Sequence, residues 1–142
     1  FFLMIRRPPI STRFPYTTLF RSVGNLDVLT ALEAQAPVRA VRGNVDRGEW
    51  AQRLPTSLVV EAEGALLYCV HDLDDLDLDP AAAGFAAVIS GHSHQPSISR
   101  RGGVLYLNPG SAGPRRFNLP VTLAYLRFVD GQAEAELVTL LA

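Results

Sequence analysis

Three histidines, His71, His92 and His94, and two asparagines, Asn44 and Asn108, are the side chains of this chain best suited to hold a cation or a polar ligand. His92 and His94 stand two apart in Gly91-His92-Ser93-His94, a loop opened by glycine and closed by Pro96. Two imidazoles so placed can both aim a ring nitrogen at a metal pair, because a neutral ring keeps one lone pair for a cation. His71 follows the apolar run 65–70, and Asn44 lies in Gly43-Asn44-Val45-Asp46 after the run 38–41. Asn108-Pro109-Gly110-Ser111 follows the run 104–107. Taken singly, these have plainer readings. A lone histidine packs or faces solvent, a loop asparagine bonds its own backbone, and Asn-Pro-Gly-Ser makes a tight turn.

What joins them is their place at the ends of apolar runs. Residues 38–41, 65–70, 86–90 and 104–107 read as strands, each ending in one of these clusters. Ligands of open α/β sheets sit at the carboxyl ends of strands, so clusters repeatedly placed there can converge on one site. Around them, Asn25 reads as the cap of a helix carrying Leu26, Leu29 and Leu32 at helical spacing and ended by Pro37. A brief helix is predicted over 49–54. Glu63-Gly64, Gly102-Gly103 and Asp130-Gly131 mark hairpin turns, the last the strongest of the three. Pro80-Ala81-Ala82-Ala83, with acidic residues before it, predicts a first helical turn. Asp72, Asp74, Asp75, Asp77 and Asp79 lack the glycine and closing glutamate of a calcium loop and read as a solvated stretch. Cys69 sits inside an apolar strand and reads as packing.

Composition narrows the classes. The 142 residues are 48% hydrophobic and 19% charged, which fits one globular domain and excludes disorder or a coiled coil. The single cysteine provides neither a disulfide framework nor a cysteine zinc site, so a reducing, cytoplasmic setting is expected. No apolar run approaches the ~18 residues of a membrane span. Residues 1–22 carry Arg6, Arg7, Arg13 and Arg21 and no acidic residue, whereas the rest holds 9 basic against 14 acidic residues. A nucleic-acid surface needs a cationic stripe, so none is expected, and neither is a membrane partner.

The opening segment has no helical or strand period, and Pro8, Pro9 and Pro15 prevent a continuous amphipathic helix. Its arginines follow its apolar pentad, the reverse of a signal peptide. The string from Phe1-Phe2-Leu3-Met4-Ile5-Arg6-Arg7-Pro8-Pro9 to Pro15-Tyr16-Thr17-Thr18-Leu19-Phe20-Arg21-Ser22 resembles the translation of a sequencing adapter joined to a genuine reading frame. Residues 1–22 are therefore set apart as an extraneous or disordered segment, and 23–142 is the expected domain.

In order, Gly43-Asn44-Val45-Asp46, His71 after a strand, Gly91-His92-Ser93-His94 and Asn108-Pro109-Gly110-Ser111 resemble the calcineurin-like metallophosphoesterases, in particular their small bacterial and archaeal phosphodiesterase branch. The resemblance implies an α/β fold, a β-sandwich flanked by helices. It implies that Asn44, His71 and His92 are ligands of one metal and His94 a ligand of the other. Gly43, Asp46, Gly91, Asn108, Gly110 and Ser111 would shape the site or its substrate loop. It further implies two divalent transition metals, Mn first and Ni, Co, Zn or Fe otherwise, and a small phosphoester substrate. Imidazole and oxygen ligands together suit these ions better than Ca or Mg alone. A metal pair ~3.5–4 Å apart can generate a hydroxide at neutral pH and clamp a phosphoryl group for in-line attack.

Three departures from the family pattern bear on activity. Val45 stands where a histidine able to protonate the leaving oxygen is usual, and Asp72 stands where a glycine is common. The family's opening strand-helix-strand unit, with Asp-x-His and then a bridging Asp, is lacking: Ser22 takes the bridging place and no carboxylate precedes Asp27. The chain is thus expected to bind at most one metal weakly, to be inactive as written, and to expose a sheet edge where the lacking strands would pair. Two other readings compete: a non-catalytic interaction scaffold of the same fold, to which the small retromer subunit is similar, and an α/β domain whose histidines merely pack.

Overall fold

The computed structural model describes residues 2–4, 16–19, 23–115 and 117–142, the first two stretches as backbone. The elements run β1 (Phe2–Met4), β2 (Tyr16–Leu19), α1 (Leu26–Glu33), β3 (Val38–Ala40), α2 (Glu49–Gln52), β4 (Ser57–Ala62), β5 (Ala65–Val70), β6 (Phe85–Ile89), β7 (Ser97–Arg101), β8 (Val104–Asn108), β9 (Val121–Val129) and β10 (Gln132–Leu141). One sheet has the order β4-β5-β6-β8-β7, the other β10-β9-β2-β1-β3.

Turn chemistry sets the hairpins. Glu63 and Gly64 both adopt positive φ, as a two-residue connection of twisted strands requires, and β4 pairs with β5 in register from Ser57–Val70 to Ala62–Ala65. β5, β6 and β8 are parallel, with antiparallel β4 and β7 at the edges. Parallel pairing places the carboxyl ends of the three central strands on one rim, and these ends carry His71, the Gly91-His92 loop and Asn108.

The alternation of β5, β6 and β8 sorts their side chains onto two faces. Leu67, Cys69, Ala87, Ile89, Leu105 and Leu107 face the other sheet and meet Ala124, Leu126 and Ala133 from β9 and β10. That face is the sandwich core. Tyr68, Val70, Val88 and Val104 point the other way and are covered by Leu73, Leu76 and Leu78. The acidic stretch is therefore half a lid: its leucines pack while Asp74, Asp75, Asp77 and Asp79 stay exposed. The α1 helix is capped by Asn25, whose Oδ1 accepts from the Val28 N–H at 3.0 Å. It docks through Leu29 and Leu32 against Val23, Val38 and Ala40, with Trp50 and Leu54 completing this smaller cluster.

Two local expectations are corrected. Residues 80–83 form a single hydrogen-bonded turn rather than the start of a helix: Asp79 Oδ1 accepts from the Ala81 and Ala82 N–H groups, and the Phe85 N–H returns to the Pro80 carbonyl. Gly84 at φ 79° ends the turn before a helical nucleus, costly to form, can propagate. The segment 1–22, read as having no strand period, contributes β1 and β2, which lie between β9 and β3. Among the described residues, the expected open edge between β9 and β3 is thus filled. The free N–H and C=O groups of β3 and β9 need partners, and any extended backbone supplies them.

Candidate metal centre

His71 is fixed first by its backbone. It follows β5 directly, its carbonyl accepts from the Gly91 N–H at 2.9 Å, and the residue is 8% exposed. Its ring Nε2 lies 3.2 Å from Asn44 Oδ1 and 3.4 Å from His92 Nδ1. The two imidazoles stand edge to face at 5.3 Å between centroids. Two potential donor atoms, from two other loops, thus approach His71 Nε2. Donors held about 2.1 Å from a tetrahedral cation sit roughly 3.4 Å from each other, close to the spacing along these two edges.

Hydrogen bonding alone satisfies this cluster poorly. His71 Nε2 carries at most one proton yet faces two partners, and His71 Nδ1 is buried with no partner among the described residues. If the proton is on Nδ1, two lone pairs confront each other across 3.2 Å, an arrangement that a cation relieves. The donor set, two imidazoles and an amide oxygen, fits one divalent transition metal. Burial is the largest cause that lowers the pKa of His71 and the His92 ring adds to it, while Asp72 and Asp46 act in the opposite sense. The lowered pKa favours the neutral ring, the form a metal ligand needs.

The surrounding loops hold these atoms. His92 and His94 both lie in the left-handed region, at φ 61° and 58°, a strained conformation for non-glycine residues. Asn108 at the end of β8 restrains that loop: its Nδ2 donates to the Gly91 carbonyl and to Ser93 Oγ, each at 3.0 Å, and its Oδ1 accepts from the Gly110 N–H. Thr122 Oγ1 donates to the Pro109 carbonyl at 2.7 Å, and Ser111 makes a single parallel bridge to Val121. In the Asn44 loop, Asp46 accepts from the Gly43 and Gly24 N–H groups at 2.8 and 3.0 Å. Its carboxylate is spent on the turn, so it shapes the site without facing it.

The structure therefore brings Asn44, His71 and His92 together, with Gly91, Asn108 and Gly110 behind them. His94 is half-buried on the same loop. Among the described residues there is no group of three or more His, Cys, Asp or Glu poised around one ion. Sequence reasoning missed Asp72 as more than a departure. Its Oδ1 accepts from the Asp74 N–H, and its Oδ2 stands 3.5 Å from His92 Nε2. A carboxylate there favours a proton on Nε2 and leaves the Nδ1 lone pair toward His71. Adjacency to His71 in sequence was the one available signal.

An α/β sandwich with imidazole and amide donors on the carboxyl rim of its partly parallel sheet defines the class: a domain with a candidate metal site at its strand ends. Residues 20–131 match the calcineurin-like phosphoesterase superfamily domain, and the chain belongs to that superfamily. It is 34% identical over 119 residues to a probable metallophosphoesterase of Methanothermobacter thermautotrophicus, covering 79% of this chain and 68% of that one. Among solved structures, a predicted phosphoesterase of Streptococcus pneumoniae superposes with a TM-score of 0.59 at 26% identity, over 71% of this chain. The match covers 62% of that chain, less than two thirds of its length. A novel archaeal phosphodiesterase superposes with a TM-score of 0.65 over 82% of this chain and 78% of its own, and at 20% identity shows the shared fold.

Proposed function

We propose that this chain is part of a two-metal phosphoesterase acting on small phosphodiesters or phosphomonoesters, and that as written it binds at most one cation and does not turn over. The observation that carries the reading is the approach of Asn44 Oδ1, His71 Nε2 and His92 Nδ1 to within 3.2–3.4 Å along two edges. A pair of divalent ions, when bound in such a site, neutralises phosphoryl charge and supplies an ionised water near neutral pH. The chain's own part is positional. His71 and His92 present ring nitrogens, Asn44 adds an amide oxygen, Asn108 fixes the histidine loop and Asp72 orients the His92 ring. His94 is assigned to the second ion.

The inactivity proposal rests on what the residues cannot supply. No carboxylate precedes Asp27, so a bridging Asp between two ions has no candidate in that part of the chain. Val45, 57% exposed, offers no proton to a leaving oxygen, which removes help of ~10²–10⁴-fold and favours esters with good leaving groups. Mn is the first metal to try, with Ni, Co, Zn and Fe as alternatives. The test compares this chain with one carrying an added strand-helix-strand unit that ends in Asp-x-His and Gly-Asp. With Mn²⁺, the extended protein is expected to hydrolyse bis(p-nitrophenyl) phosphate, and its His92→Ala variant to lose that turnover. A folded extended protein with no metal-dependent turnover contradicts the proposal, as does full activity of the 142-residue chain.

A further inference from the structure

Beside the candidate metal ligands lies a cavity of about 510 Å³ whose walls include Arg42, Gly43, Asn44, Asp46, Arg47 and Gln52. That size suits a small-molecule arm. Two of its wall residues are arginines, and most arginines elsewhere on the described surface are engaged. Arg39, Arg100 and Arg115 donate to backbone carbonyls, Arg127 pairs with Glu134, and Arg101 lies over the Tyr106 ring. By contrast, among the described residues the Arg42, Arg47 and Arg53 guanidinium groups make no hydrogen bond or ion pair, and of these three Arg42 and Arg47 line the cavity.

The one acid in the wall does not cancel them. Both Asp46 oxygens are occupied by backbone N–H groups, which orient the carboxylate into its own turn. Two uncommitted planar cations, with an amide at Gln52, make a recognition set for phosphate oxygens, which a guanidinium fork binds in pairs. Asn44 belongs both to this wall and to the metal cluster, so a bound arm here would continue from a phosphoryl group held at the histidines.

We infer that this cavity is a subsite for a second phosphate, so that the substrate is a phosphoester whose non-reacting arm carries another phosphate group. The inference rests on the phosphoesterase reading for its link to catalysis, but the subsite is tested without metal. Inorganic pyrophosphate, orthophosphate and malonate are titrated calorimetrically into the metal-free 142-residue chain and its Arg42→Gln, Arg47→Gln and Arg53→Gln variants. Arg53 caps α2 outside the cavity wall and serves as the control.

Pyrophosphate is expected to bind most tightly. Arg42→Gln and Arg47→Gln should each weaken it at least fivefold, and Arg53→Gln less than twofold. Equal binding by all variants, no pyrophosphate binding at millimolar concentration, or tighter binding of malonate would overturn the subsite. Mn²⁺ titration of the same arginine variants separates the two ideas. Unchanged Mn²⁺ affinity with lost pyrophosphate binding supports a distinct anion subsite, whereas parallel loss of both shows the arginines shaping the metal loop and overturns it. Absence of Mn²⁺ binding by every protein, with pyrophosphate still dependent on the arginines, sinks the metal reading and leaves the anion site standing.

Discussion

Gly110→Ala should be among the most damaging single-methyl additions in the molecule, and its cost can be assembled from local geometry. Gly110 sits at φ 80°, where an L side chain is strained by about 1–2 kcal/mol. A Cβ there would lie 2.0 Å from Thr122 Oγ1 and 3.3 Å from the Pro96 ring. Thr122 is 2% exposed, so the hydroxyl can yield only by abandoning its 2.7 Å bond to the Pro109 carbonyl. Leaving that buried carbonyl unpaired costs a further ~1–3 kcal/mol, for a total of about 2–5 kcal/mol. Gly64→Ala is the matched control: φ is 77° and nothing lies within 4 Å of its Cβ, so only the strain of about 1–2 kcal/mol applies.

Urea unfolding of both variants, each also made in a Thr122→Ala background, separates the terms. Gly110→Ala should exceed Gly64→Ala by ~1–3 kcal/mol in the parent chain and approach it when the hydroxyl is gone. Equal costs in the parent, or no relief from Thr122→Ala, would refute the reasoning. Because the Gly110 N–H also holds Asn108, and Asn108 holds the histidine loop, the same variant should weaken Mn²⁺ binding, whereas Gly64→Ala should not.

Three further outcomes follow. Asp72→Asn should weaken Mn²⁺ binding roughly tenfold by removing the carboxylate that orients His92, with Asp74→Asn as an unaffected control; equal affinities by calorimetry would contradict that role. Folding stability should fall as pH drops below about 6.5, because the unfolded chain protonates His71 before the folded chain, whose pKa is lowered chiefly by burial; the loss continues down to the folded value and then levels. Urea midpoints between pH 5 and 8 should therefore slope less in His71→Gln, and an unchanged slope would refute the assignment. Asn108→Ala, which strips three hydrogen bonds from the loop, should cost about 2–4 kcal/mol in the same assay, and a cost near zero would show that the loop holds itself.

The chain's order of strands and tight turns was legible because few residues tolerate what these turns require. Asp130-Gly131 and Glu63-Gly64 both occupy positive φ and join the strands expected on either side. The shared rim was legible too, since His71, His92 and Asn108 each follow an apolar run and parallel pairing aligns such ends. Other features are invisible to local pattern. The inward turn of Leu73, Leu76 and Leu78 depends on an apolar sheet face that needs covering. The pairing of β1 and β2 with β9 and β3 depends on backbone groups seeking partners, to which side-chain periodicity is indifferent. The left-handed backbone of His92 and His94 lies in a loop whose Gly91 and Ser93 are held by Asn108, from a strand distant in sequence. The pairing of Arg42 with Arg47 in one cavity wall depends on the fold of the loop between β3 and α2, which no local pattern marks.

The convergence of Asn44, His71 and His92 on one cation is tested most directly by crystals soaked in Mn²⁺, with anomalous diffraction recorded at the manganese edge. A single partially occupied peak is expected about 2.0–2.3 Å from Asn44 Oδ1, His71 Nε2 and His92 Nδ1. A peak among Asp74, Asp75 and Asp77 with none at the histidines, or an intact histidine cluster that stays empty at saturating Mn²⁺, would contradict it.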